Sequence, residues 1–269
     1  MSTLQLDDML QGVTGVNPGG VRHEPTVTVV VPTLNEAKNL PHVFAELPED
    51  LHEVIVVDGF STDNTIEVAE QLRPDVKIVR QSRRGKGNAL VHGFAAATGE
   101  IIVMLDADGS ADPAEIPTFV QALSAGVDFA KGSRFTKGGG SSDITRFRRL
   151  GNRGLNALVN ALFGTRYTDL CYGYNAFWRH CLPVMNVDCD GFEVETLINI
   201  RIARGGLRSV EVPSFERDRI HGESNLKTFR DGWRVLWTIL RERFRQSPSA
   251  PAARSQALEP VAPVLGGGS

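Results

Sequence analysis

The sequence predicts an α/β fold, a mostly parallel sheet with helices on both faces. Three observations predict it. Apolar runs alternate with helix-like segments through the first half of the chain. The runs are apolar at nearly every residue rather than every second one, as strands buried on both faces are. The residues able to do chemistry fall just after those runs, and right-handed crossovers gather such strand ends along one rim.

The elements follow in order. "TVTVVVPT" (Thr26 to Thr33) is the first strand, and "NEAKNLPHVFAEL" continues as a helix with Asn35 as its cap. "EVIVVDG" is the second strand and ends at Asp58. "STDNTIEVAEQLRP" is a helix capped by Ser61 or Thr62 and stopped by Pro74. "VKIVRQ" is the third strand, "GKGNALVHGFAAATG" a helix closed by Gly99, and "IIVML" (Ile101 to Leu105) the fourth strand. After this the rhythm loosens. "DFAKGSRF" is a short strand. Ile144 to Phe163 is helical, basic at first (Arg146, Arg148, Arg149, Arg153) and then apolar. "GLRSVEVPSFERDR" contains a strand ending at Pro213. "NLKTFRDGWRVLWTILRERFRQ" is a last, amphipathic helix with a stripe of Phe229, Trp233, Leu236, Trp237, Leu240 and Phe244. Interfacial helices have this form, as do core packing and a dimer or subunit-docking surface; for Trp233, Leu236 and Leu240 the core is the expected place. Residues 1–24 read as a loose leader, 25–246 as a single domain, and 247–269, rich in Pro, Ala and Ser, as a disordered tail.

Composition excludes several classes. The chain has 269 residues, 41% hydrophobic and 23% charged, ordinary values for a globular protein. A net charge of −3 gives no bulk attraction for nucleic acid. Three cysteines (Cys171, Cys181, Cys189) with no C-x-x-C pair argue against a disulfide framework or a zinc site. No apolar run approaches the roughly 20 residues of a spanning helix. If the protein meets a membrane, it lies on it.

Asp106 and Asp108 follow the fourth strand in "MLDADGS". Three readings fit them. One is a turn with aspartate as helix cap. Another is general acid–base chemistry. The third is a divalent cation: residues i and i+2 of an extended chain point the same way and crowd two negative charges. Mg²⁺ or Mn²⁺ would suit, since both take oxygen ligands and rarely a full protein cage. "RRGKGN" places Arg84 and Lys86 on the same rim. It is not a Walker A loop, and no G-x-G-x-x-G follows the first strand. Glu36 and Asp58 suit hydrogen bonds to the hydroxyls and base edge of a nucleoside, although helix capping would use the same residues.

Together these segments resemble the family-2 glycosyltransferases of the GT-A fold, over roughly Val27 to Arg245. "VVVPTLNE", "VVDGFSTDNT", "GKGNAL" and "MLDADG" fall in that family's order. "GSRF", "DLCYGYNAF" and "VPSFERDRIHGESNL" are similar to its dolichyl- and polyprenyl-phosphate sugar synthases. The resemblance implies that residues 25–135 bind the nucleotide sugar and 136–246 the acceptor. It implies Pro32, Asn35, Glu36 and Asp58 at the nucleoside, and Lys86 at the diphosphate. Asp106 and Asp108 would form the metal motif, Asp108 as the direct ligand, with Ser110 beside them. Arg134, Arg148 and Arg219 would bind phosphate groups, and Ser224 would belong to a closing loop. The chain departs from the pattern at Asn225, where lysine is usual, and at Gly59 and Phe60, which replace an Asp–Asn or Asp–Ser pair.

The implied reaction is inverting transfer of a hexose from GDP-mannose, UDP-glucose or a UDP-N-acetylhexosamine to a polyprenyl phosphate, with Mg²⁺ or Mn²⁺. It would run at the cytosolic face of a membrane, with the protein peripheral to the bilayer, docked on a membrane subunit, or a homodimer. A polyprenyl phosphate is largely anionic at neutral pH and needs positioning by arginine rather than a base. A hydroxyl acceptor would need a carboxylate base, with Asp169, Glu193 and Glu195 as candidates. Rival readings are a family-2 enzyme using a sugar or lipid hydroxyl, a nucleotidyltransferase, and a non-catalytic nucleotide-sugar binding protein. "PTLNEAKN" lacks the glycine-rich basic loop that the nucleotidyltransferase would want.

Overall fold

A computed structural model describes residues 24–222 and 228–245. The leader, the tail and Ser224 with its neighbours in "ESNLK" lie outside the described residues. Strand β1 (Val27–Thr33) leads through α1 (Leu40–Ala45) to β2 (Glu53–Asp58), then α2 (Thr65–Leu72), β3 (Lys77–Arg80), α3 (Lys86–Ala96) and β4 (Ile101–Met104). This is the alternation read from the apolar runs, and it is wholly parallel. Two helix starts differ from expectation. The chain past β2 stays in turns until Asn64, the N-cap residue of α2, because Asp63 ties itself to Thr65 first. Asn35 is not a cap: it takes φ 59° and accepts a 2.7 Å bond from the Thr62 amide, joining the loops after β1 and β2.

The second half adds α4 (Ile116–Ser124), β5 (Phe129–Ser133), β6 (Gly140–Ser141), α5 (Arg146–Phe163), β7 (Asn175–Trp178), α6 (Leu182–Met185), α7 (Val194–Arg204), β8 (Ser209–Pro213), β9 (Phe215–Glu216) and α8 (Thr228–Phe244). The main sheet has seven strands in the order β3-β2-β1-β4-β7-β5-β8, with β6 and β9 as a separate pair. β7 runs antiparallel between β4 and β5. Its entry loop, Cys171 to Tyr174, therefore arrives at the edge where β4 ends.

Both faces of the sheet are covered. Val29, Val31 and Val56 pack with Leu40, Ala69 and Phe119 on one side. Val30, Ile55 and Ile102 pack with Leu90, Phe94 and Ile198 on the other. Helix α3 approaches so closely that a Cβ on Gly93 would lie 2.3 Å from Val30 Cγ1, so the glycine is a packing requirement. A third cluster, Val159, Ile200, Val235 and Ile239, joins α5 and α8 to the outside of α7. The three cysteines are free thiols.

Helix α8 keeps Trp233 and Leu240 out of the core and leaves Leu236 half-buried at the groove described below. Its inward face is Asp231, Val235, Thr238, Ile239 and Glu242, all buried. The apolar stripe points out instead: Trp233 is 69% exposed, Phe244 86%, and Phe229, Trp237 and Leu240 are exposed too. The polar inward face is held by ion pairs. Glu242 meets Arg201 at 2.9 Å, and Arg201 also holds Asp188 at 2.7 Å. Burial of a fully paired arginine is tolerable where burial of a lone one is not.

Candidate functional site

The C-terminal ends of the parallel strands β1–β4 carry the site. β4 is four buried apolar residues, and Asp106 and Asp108 follow it directly. Each aspartate has its own cation. Lys86, at the first turn of α3, lies 2.7 Å from Asp106 Oδ1 and 2.7 Å from Glu195 Oε1, at the start of α7. Arg219, on the loop after β9, lies 2.6 Å from Asp108 Oδ2 and 3.7 Å from Glu36. Asp108 Oδ1 accepts the Ser110 amide at 2.9 Å.

Electrostatics follow from this geometry. Burial works against the charge on Lys86, but Asp106 and Glu195 outweigh it and hold the ammonium above its usual pKa. Burial also raises Glu36. Asn39 and Arg219 pull it back, while Asp108 and Asp106 push it further up. Four carboxylates thus meet two cations, a formal excess of two negative charges.

Lys86, Asp106, Asp108, Glu195 and Arg219 line one end of a groove of about 440 Å³, and Glu36 stands just behind that lining, 3.7 Å from Arg219. Arg148 lies along its wall, 3.1 Å from Asp143. The other end is apolar, with Phe147, Leu155, Phe229, Trp233 and Leu236 from α5 and α8.

Not every expected residue converges here. Pro32, Asn35 and Asp58 sit at the ends of β1 and β2, outside the groove lining. Asp58 is buried and accepts the Phe60 and Ser61 amides at 3.2 and 3.1 Å. Phe60, exposed, adopts φ 69° beside it.

Arg134 and Asp169 pair with one another. Asp169 is 0% exposed, and Arg134 reaches its two oxygens at 2.7 and 2.9 Å. The Arg134 amide at 3.1 Å and Asn152 at 2.8 Å bring the donors to four. The remaining Arg134 nitrogen holds Glu216 at 2.9 Å. Arg134 nonetheless lines the groove, so the pair holds part of its wall.

Two participants were not anticipated. Gly173 packs against the cluster so tightly that a Cβ would lie 2.6 Å from Lys86 Nζ and 3.0 Å from Asp106 Oδ2. Glu216 completes the Arg134 network. Gly173 lies inside the quoted "DLCYGYNAF" stretch, but its contact depends on the antiparallel return of β7. Glu195, a base candidate for a hydroxyl acceptor, pairs with Lys86.

Comparisons agree with this geometry. Residues 28–182 match the family model for glycosyl transferase family 2. Glycosyltransferase AglJ of Haloferax volcanii is 31% identical over 225 residues, 82% of this chain and 73% of that protein. A dolichol-phosphate mannosyltransferase of Pyrococcus furiosus is 32% identical over 75% of this chain, which spans only 59% of that relative. A polyprenol monophosphomannose synthase of Mycolicibacterium smegmatis is 32% identical over 79% of this chain and 85% of its own length. Among solved structures, glucosyl-3-phosphoglycerate synthase from Mycobacterium tuberculosis, in complex with Mn²⁺, UDP and glucosyl-3-phosphoglycerate, superposes with a TM-score of 0.66 at 25% identity. The match covers 85% of this chain and 86% of that one. With the GT-A sheet and the β4 aspartates in place, these similarities settle the assignment: the chain belongs to glycosyl transferase family 2, the nucleotide-sugar transferases, and is a hexosyltransferase.

Proposed function

We propose that the protein transfers a hexose, with inversion, from a nucleotide diphospho-sugar to a polyprenyl phosphate at the cytosolic face of a membrane. One observation carries this reading: the groove is charged at one end and apolar at the other. A polyprenyl phosphate has the same polarity, an anionic head on a long apolar tail. The mannosyltransferase and phosphomannose synthase similarities support the acceptor class.

The residues fit a divalent cation. The formal excess of two negative charges matches it, and the donors are hard oxygens. Among the described residues no cluster of three or more His, Cys, Asp or Glu forms a cage. That suits Mg²⁺ or Mn²⁺, which keep water and substrate phosphate in their shell. Asp108, with Asp106 and Ser110 beside it, would hold the ion. Bound there, it supplies charge stabilisation to the leaving diphosphate. Lys86 opposes the same developing charge. Asn35, Glu36, Asp58 and Pro32 hold the nucleoside of GDP-mannose, UDP-glucose or a UDP-N-acetylhexosamine. Arg148 and Arg219 orient the acceptor phosphate, whose second pKa near 6 leaves it anionic without a base. Residues 25–135 thus serve the donor and 136–246 the acceptor.

The outward stripe of α8 supports a peripheral seat on the bilayer. No helix among the described residues is long and apolar enough to cross a membrane. A homodimer or a membrane subunit would cover the same stripe, and sedimentation with and without lipid vesicles separates these.

The test is release of nucleoside diphosphate from a panel of nucleotide sugars with Mn²⁺ and a short-chain polyprenyl phosphate. Release should need both acceptor and metal, and Asp108→Asn should lower it by about a thousandfold. Turnover untouched by chelation, or transfer only to hydroxyl acceptors, overturns the reading.

A further inference from the structure

Helix α5 carries Arg146, Arg148, Arg149 and Arg153 in its first two turns, with no acidic residue in the first turn. Positive charge at a helix N-terminus opposes the macrodipole, so helix stability does not explain it. Arg148 is accounted for by Asp143 and the catalytic groove. Arg149 and Arg153, one turn apart, face the opposite flank. There they line a separate cavity of about 770 Å³ between α5 and the chain from Phe135 to Ser141.

No carboxylate lines this cavity, and among the described residues neither Arg149 nor Arg153 has an ion-pair partner. The Arg149 guanidinium sits 5.5 Å from the centroid of the Phe135 ring. That contact steadies the cation while leaving its N–H donors free. Both asparagines of the wall are engaged: Asn156 donates to the Thr168 carbonyl and Asn160 to that of Tyr167. Arg134 is consumed by Asp169 and Glu216. What the cavity offers a ligand is therefore two unpaired guanidinium groups, the donor set for a phosphate oxygen pair.

The surroundings choose the kind of phosphate. Between its exposed arginines, Arg146, Arg149 and Arg153, α5 also exposes an uncharged ridge of Leu150, Gly154, Ala157 and Ala161. Ala157 also lines the cavity, so the cavity borders this apolar ridge. A small soluble anion has no use for such a ridge. The phosphodiester of a bilayer lipid brings charge and hydrocarbon together. We propose that this cavity seats the headgroup phosphate of an anionic phospholipid, held between Arg149 and Arg153, on the flank of α5 opposite the acceptor groove. It is a docking site that sets how the enzyme sits on the bilayer. The inference rests on the membrane seat proposed above and not on the acceptor.

The experiment is vesicle flotation of the full chain with phosphatidylcholine alone and with added phosphatidylglycerol, no polyprenyl phosphate being present. Two arginines at the surface should favour the anionic vesicles by roughly 30-fold. Arg149→Gln with Arg153→Gln should lose most of that preference, yet keep full turnover on a short-chain acceptor in solution. Arg230→Gln with Arg243→Gln, a matched pair on α8, should keep most of it. Equal loss in both pairs means diffuse attraction and overturns the site, as does equal binding to both vesicles. Soluble glycerophosphoglycerol should displace the protein from anionic vesicles. Displacement by inorganic phosphate at the same concentration reassigns the cavity to a free anion and overturns the lipid. If anionic preference follows Arg149 and Arg153 while polyprenyl phosphate is never glycosylated, the acceptor reading fails and this one stands.

Discussion

Arg219 Nη2 lies 2.6 Å from Asp108 Oδ2. A guanidinium thus covers the carboxylate proposed to hold the divalent ion, and two positive groups compete for it. Removing one unit charge there is worth on the order of tenfold. Arg219→Met should bind Mn²⁺ about tenfold more tightly when no nucleotide is present, as read by calorimetry. Unchanged affinity would place the ion away from Asp108.

Gly173 leaves room for Lys86, Asp106 and Glu195. An added methyl at 2.6 Å from Lys86 Nζ must push the ammonium aside. Lys86 is a flexible chain end, so the fold should tolerate the change. Gly173→Ala should keep its melting temperature while turnover drops roughly tenfold to a hundredfold. Scanning calorimetry alongside steady-state rates checks both halves of the statement.

Asp169 tests positioning against base chemistry. Burial would raise its pKa, but the hydrogen bonds and charge of Arg134 win and hold it below the usual range. A carboxylate depressed in the fold adds stability above its unfolded pKa of about 3.9, lost as pH falls through the folded value. Asp169→Asn should cost ~3–5 kcal/mol at pH 7, because Arg134 loses its charge partner. It should also flatten the acid limb of the stability curve below about pH 4. Urea unfolding at several pH values measures this. A fully stable variant with no turnover would restore Asp169 as the base.

The outward tryptophans of α8 carry little of the fold. Trp233→Ala with Trp237→Ala should change stability by about 0.5 kcal/mol or less, as exposed positions do. Vesicle binding should fall at least about a hundredfold, since each large apolar side chain is worth ~1.5–3 kcal/mol on burial.

Strands β1 to β4 were legible because each is a run of apolar residues bounded by turns. β7 was not: "NAFW" is four residues long, and its antiparallel return depends on the sheet already being there. Helix α7 hid because it buries Glu195, Asn199 and Arg201 among its apolar residues, which breaks the periodic signal. In α8 the period was correct, and of the readings it left open the core placement of Trp233 and Leu240 is the one the fold does not adopt. Periodicity locates a stripe but cannot say whether protein or lipid will cover it. At the site, both aspartates, Lys86 and Glu36 could be placed on the rim from order alone. The Arg134–Asp169 pairing could not, since it joins distant segments through a buried network that no local spacing encodes.

The three-way tie at Lys86 has an electrostatic corollary. Its ammonium is shared between a carboxylate from the first half of the chain and one from the second. An arriving diphosphate must draw it from both, and Glu195 borders the groove that the tail-bearing substrate would enter. Drawing the ammonium away from one carboxylate therefore alters the charge balance at the other, so the two halves of the chain are electrostatically linked through one side chain.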